Sequence, residues 1–129
     1  MNLRIRILIP LLLGFAASSS AQPGSPCTPF REGRFYYREF RPDAVVIERS
    51  AAEQYEYDRS TGHVTRYQVR WTDSCTYELT QVWSNDARIN AGNGALIRVH
   101  ITEVLDNGYL YTAEYNGIVT RYTLLRIPE

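Results

Sequence analysis

The chain has no lysine: its fourteen basic residues are all arginine, and fourteen acids balance them to a formal net charge of zero. Without Arg4 and Arg6 of the N-terminal leader the balance would be slightly acidic. A chain of this charge offers no electrostatic footprint for nucleic acid, whose phosphates demand clustered basic residues. Arginine suits bidentate recognition of phosphate or carboxylate. Here, though, the arginines are scattered among acids, which a genomic bias toward arginine explains as well.

Histidine is nearly absent too. His63 and His100 stand alone, and neither has a cysteine, histidine or carboxylate pair at metal-ligand spacing, so neither a metal nor a cofactor is expected. His100 is expected across from Glu114 on an outer strand face, an ordinary cross-strand pair. The only cysteines are Cys27 and Cys75, with no CxxC and no base beside them to lower a thiol pKa. Ser50, Ser60 and Ser74 sit in turn-like stretches, as turn chemistry alone requires. No catalytic residue is expected, and an enzyme is not the favoured reading.

What is present begins with a leader. "MNLRIR" carries two arginines, "ILIPLLLGFAA" is an apolar run, and "SSSA" supplies small residues at the processing positions, the pattern of a secretory signal peptide. A helix of about eleven apolar residues is only ~17 Å long, too short for a hydrocarbon core of about 30 Å. Residues 1–21 are therefore expected to be cleaved after Ala21, leaving an exported, periplasmic or secreted chain of about 108 residues. That is one domain's worth, enough to bury roughly two thirds of its unfolded surface. Cys27 follows "GSP" rather than the apolar run, which argues against a lipid anchor. Two cysteines in an exported chain of this size are read first as a disulfide, Cys27–Cys75.

The rest contains no repeat, heptad or helix-period stretch. After an extended lead-in over residues 22–32, runs rich in Val, Ile, Tyr and Thr alternate with Gly, Asn, Asp and Ser through 33–129, an all-β pattern. Strands are expected at about 34–39, 45–49, 53–58, 64–71, 75–83, 96–104, 109–115 and 118–126. Eight antiparallel up-and-down strands close into a small barrel or form a strongly curved sheet. The alternative is a two-layer sandwich with the 84–95 loop crossing between layers.

Turn chemistry sets an expected register. A two-residue Asn116-Gly117 turn pairs Tyr115 with Ile118, Tyr111 with Tyr122 and Tyr109 with Leu124. A three-residue Asp106–Gly108 loop, with Gly108 left-handed, pairs Leu105 with Tyr109, Ile101 with Ala113 and Val99 with Tyr115. A Ser60–Gly62 loop pairs Tyr57 with Thr65 and Tyr55 with Tyr67, and sets Glu56 against Arg66 on the outer face. A Thr72–Ser74 loop pairs Trp71 with Cys75, Val69 with Tyr77 and Tyr67 with Leu79.

By this register one face collects Tyr37, Tyr55, Tyr57, Tyr67, Trp71 and Tyr77, and then Trp83, Tyr109, Tyr111, Tyr115 and Tyr122. Glu103 falls on the same face opposite Tyr111. Buried tyrosine hydroxyls need partners, and an inward acid is costly unless paired or solvated. One expectation is a pocket for a small apolar or amphipathic ligand, bordered by Tyr67, Trp71, Trp83, Tyr111 and Tyr122 with Glu103 as its polar contact. The other is a filled core, with the outer face or the 84–95 loop serving as a protein- or glycan-interaction module.

The pattern formed by Cys27, Phe30, Gly33, Phe35 and Tyr37, then Ile47 and Arg49, Gln54 and Glu56, and Trp71, Cys75, Tyr77 and Leu79 resembles a family of short exported bacterial β-proteins without assigned function. Some members carry the label "DNA topoisomerase IV", with which export, near-zero charge and short length disagree. The resemblance implies a fold signature and brings no catalytic residues. "GRF" at Gly33–Phe35 is similar to the Gly-x-Trp that opens the first strand of lipocalins, with Phe in place of Trp.

Overall fold

A computed structural model of the chain describes residues 24–128; the expected signal peptide, residues 1–21, lies outside them. The strands are β1 (Gly33–Tyr37), β2 (Val45–Arg49), β3 (Glu53–Asp58), β4 (His63–Asp73), β5 (Thr76–Ser84), β6 (Leu96–Val104), β7 (Gly108–Tyr115) and β8 (Ile118–Arg126). Each pairs antiparallel with the next, and β1 also pairs with β8, so the sheet is a closed eight-stranded barrel in sequence order. Closure excludes both the open sheet and the sandwich. It also leaves no unpaired sheet edge. No helix among the described residues is long and apolar enough to cross a membrane.

The lead-in is not simply extended. It turns through a short 3-10 helix, Thr28–Phe30, with Pro29 inside it, and buries Cys27 and Phe30 across one end of the barrel. The Cys27–Cys75 disulfide fastens this plug to the β4–β5 turn. The same end carries the β2–β3 and β6–β7 connections. The opposite end carries residues 38–44, 59–62, 85–95 and the 116–117 turn, and no segment crosses it among the described residues.

The Asn116-Gly117 turn forms as the sequence requires, with both residues at positive φ, and β7–β8 has the expected register throughout. The other three hairpins differ. Between β4 and β5 the turn tightens to Ser74-Cys75, because the Asp73 carboxylate accepts the Cys75 N–H at 2.8 Å. A bulge at Thr72 takes one residue back, so Trp71 pairs with Tyr77 and Val69 with Leu79, a net slide of two residues that leaves the inner face unchanged. Farther along, Val82 is an extra residue that re-phases β5, so Trp83 pairs with Arg66 on the outside.

Between β6 and β7 the turn is Asp106-Asn107, closed by the Leu105 N–H to the Gly108 carbonyl at 2.8 Å. Gly108 is not left-handed. Glycine is needed there because a Cβ would lie 2.0 Å from the Leu124 carbonyl oxygen of β8. Thr102 is then a bulge whose hydroxyl donates to the Leu110 carbonyl at 3.3 Å. Val99 pairs with Ala113 and Ile101 with Tyr111, both inward, but beyond the bulge Glu103 pairs with Leu110 and is exposed.

The β3–β4 loop has four residues rather than three. Asp58 holds it by accepting from the Ser60 N–H at 3.0 Å and the Ser60 hydroxyl at 2.6 Å. Tyr57 consequently pairs with Val64 and Glu56 with Thr65, a one-residue slip that exchanges the faces of β3. Tyr55 and Tyr57 stack on each other outside the barrel, and the expected Glu56–Arg66 pair does not form. His100 lies beside Thr76 and Thr112, its Nδ1 3.0 Å from the Thr76 hydroxyl, rather than across from Glu114.

Candidate functional site

The barrel interior has two unlike halves. In the half under the plug, Phe30, Phe35, Tyr77 and Tyr109 are fully enclosed. Arg49, on β2, is buried among them. Its Nε donates to Gln54 Oε1 at 2.8 Å, Nη1 to the Phe30 carbonyl at 3.0 Å and Nη2 to the Tyr77 hydroxyl at 2.9 Å. The Tyr77 and Tyr109 hydroxyls hydrogen-bond at 2.9 Å. The Arg49 guanidinium also lies 4.6 Å from the Tyr77 ring centre and 5.2 Å from that of Phe35, a cation–π arrangement. Burial lowers the Arg49 pKa, but the tyrosines around it outweigh this and raise it, so it stays charged.

At the edge of this half Arg126 packs 5.3 Å from both the Phe30 and Phe35 rings and donates to the Pro29 and Glu32 carbonyls. Gly33 makes room for it: its φ is +139°, and a Cβ there would meet Arg126 Nη1 at 2.7 Å. The Gly33 and Phe35 positions singled out in the sequence thus serve the plugged end.

The other half is hollow. A cavity of about 310 Å³ opens at the unplugged end, within the range of small-molecule sites. One wall is an aromatic cluster: Tyr37 and Tyr122 have ring centres 5.6 Å apart, Phe40 at the mouth packs on both, and Tyr111 lies 6.5 Å from Tyr122. Leu79, Ile97, Val99 and Ala113 supply aliphatic surface, and Tyr67 and Glu56 face the cavity from β4 and β3. Tyr115 and Ile118 extend the wall at the mouth and are exposed.

Glu56 is the acid of this cavity. Burial raises its carboxyl above the ordinary range, while the hydroxyls of Tyr67 and Tyr37 partly offset the rise and the like charge of Asp58 adds to it. Burial also raises the phenols of Tyr37, Tyr67 and Tyr111, with Glu56 contributing in each case, so all three keep their protons as hydroxyl donors.

Of the residues expected to border a pocket, Tyr67, Tyr111 and Tyr122 line this cavity together. Trp71, Trp83 and Glu103 do not. Trp71 lies at the plugged end, 4.6 Å from the Tyr77 ring and under Arg31. Trp83 is 42% exposed on the outside. Glu103 is turned out by the Thr102 bulge, and Glu56 takes the inward position it was expected to hold. Gln54, Glu56 and Arg49 were missed as interior residues. The signal for Arg49 was its alternation with Ile47 along β2; that for Glu56 was the Asp58-Arg59-Ser60 sequence, which favours a side-chain-closed loop.

The 84–95 segment is pinned to the barrel rather than free. It contains a single helical turn, α1 (Ala87–Asn90), whose N-terminal amides from Arg88 and Ile89 are accepted by Asp86. Asp86 Oδ2 also meets His63 Nε2 at 2.8 Å, and Gln81 Nε2 donates to Asn93 Oδ1 at 3.2 Å. The backbone amides of Arg88 and Ile89, with His63 and Arg88, hold the Asp86 carboxyl below its usual range. No group of three metal-ligating side chains occurs among the described residues. No family model matches this chain, and neither a curated protein nor a solved structure is similar enough to it to count as a relative.

Proposed function

We propose that the protein is an exported small-molecule binder that holds one apolar or amphipathic ligand in the open half of a lipocalin-like barrel. The observation that carries this reading is the hollow half itself. A small barrel can fill its interior with its own side chains, and this one does so only under the plug. The remaining volume has mostly apolar and aromatic walls with a few convergent polar groups, the composition expected of a ligand site. Export rests on the leader at residues 1–21, and a Cys27–Cys75 disulfide is at home outside the cytoplasm.

Titration with the neutral probe N-phenyl-1-naphthylamine tests the reading. It should bind saturably with about one-to-one stoichiometry. Ala113→Trp, which fills the cavity from β7, should abolish that binding while leaving the disulfide and circular dichroism unchanged. Absence of saturable binding, or binding indifferent to Ala113→Trp, would refute it.

A second reading, an interaction module, draws on the exposed apolar side chains of Phe40, Leu96, Ile118 and Val119 near the open end. Scattered exposed apolar residues are normal on protein surfaces. The hollow interior is not needed by an interaction module, and it therefore favours the first reading.

A further inference from the structure

We infer that the ligand of the open half carries a positively charged ammonium group, held by the Glu56 carboxylate within the tyrosine-walled cavity. The inference rests on the small-molecule reading above and adds the charge of the ligand. Glu56 faces the cavity from β3 and takes part in no ion pair among the described residues. The charge that acts on it is Asp58, of the same sign. The interior's own cation, Arg49, is committed elsewhere, to Gln54, the Phe30 carbonyl and Tyr77. An enclosed carboxylate without a cation is costly, and a ligand that brings the cation would relieve that cost.

The walls suit a cation as well. Tyrosine faces attract ammonium groups within about 6 Å, most strongly where water is excluded. Tyr37, Tyr67, Tyr111 and Tyr122 surround the space that Glu56 faces. The Tyr67 and Tyr37 hydroxyls favour the charged form of the carboxyl, which lines the cavity beside them and, ionised, can accept more hydrogen bonds than these two supply. A neutral ligand would leave that capacity unused, and an anion would add repulsion. The volume of about 310 Å³ is the room of about ten waters, which suits an aryl- or short alkyl-ammonium ion rather than a long lipid.

Competition between two isosteric molecules for the site of bound N-phenyl-1-naphthylamine provides the test. At neutral pH and low salt, 2-phenylethylammonium should displace the probe at about tenfold lower concentration than 2-phenylethanol. Glu56→Gln should bring the two within about twofold of each other, each measured against the probe affinity of that same variant. Equal or better displacement by the alcohol would overturn the inference, as would an ammonium preference that survives Glu56→Gln. Probe binding without ammonium preference defeats the charge assignment alone, whereas no probe binding defeats the small-molecule reading beneath it and the inference with it. The comparison on the unaltered protein needs no variant and decides the matter even where Glu56→Gln does not fold.

Discussion

The two halves of the barrel are built from the same kind of residue and behave as opposites. Under the plug, Tyr77 and Tyr109 surround a buried arginine, and every side-chain nitrogen of that arginine has a partner. At the open end, Tyr37, Tyr67 and Tyr111 stand around a half-buried glutamate that has no cation partner among the described residues. Aromatic content therefore does not distinguish core from site. The difference lies in whether the chain supplies the counterpart for the enclosed charge, and in the plug that the disulfide holds over one end only.

That contrast predicts where substitutions act. The largest effect is expected from the double variant Cys27→Ala, Cys75→Ala. The bond closes a loop of 48 residues, and its loss should cost about 4 kcal/mol in urea unfolding. Probe binding at the open end should persist wherever the variant remains folded. Arg49→Met should cost about 3 kcal/mol, because it strands the Gln54 oxygen and the Phe30 carbonyl in an enclosed site and leaves the Tyr77 hydroxyl only Tyr109. It too should leave probe affinity nearly unchanged. A large loss of binding in either variant would show the two halves to be one unit.

At the open end the sign reverses. Glu56→Gln should stabilise the unliganded protein by about 1 kcal/mol at neutral pH, by removing an enclosed, unmatched charge. Folding raises the Glu56 carboxyl, so the folded state holds that proton more tightly than the unfolded chain. Its contribution is then full below the ordinary carboxyl range and is lost as pH rises through the raised value. Asp58, Asp73, Glu78 and Asp86 are all lowered on folding and act in the opposite sense, at lower pH. They are common to both proteins. The difference between the unfolding free energies of native protein and Glu56→Gln, measured against pH, should therefore grow as pH rises and then level off. A flat difference would mean that Glu56 is solvated. The smallest effect belongs to Glu103→Gln, which should change stability by no more than about 0.5 kcal/mol and leave binding untouched, since Glu103 is exposed.

The fate of these two acids also shows what the sequence carried and what it did not. Strand positions, barrel order and the disulfide were legible because alternation, turn residues and cysteine count are local signals. Asn116-Gly117 set its register correctly because both residues accept positive φ, which few others do. The remaining hairpins depend on side chains that close turns and on single extra residues. Asp73 and Asp58 each cap a turn of a length that residue preferences alone did not indicate. The bulges at Val82 and Thr102 answer the demands of closing the sheet, which no single hairpin reveals. A one-residue change of phase exchanges the two faces, so Glu103 and Glu56 traded places while the apolar pattern around them stayed nearly the same. For Arg49 the alternation with Ile47 pointed inward, but a charged residue inside a small barrel is acceptable only with its partners, and those come from β3, β5 and the plug.

The division of the barrel into a filled and a receptive half is tested most directly by residue-resolved NMR during titration with N-phenyl-1-naphthylamine. Saturable shifts are expected at Glu56, Tyr67, Tyr111, Ala113 and Tyr122, with Gly33, Phe35, Arg49 and Tyr109 unmoved. Shifts confined to outer-face residues such as Tyr55 and Trp83, or no saturable shift at all, would contradict it.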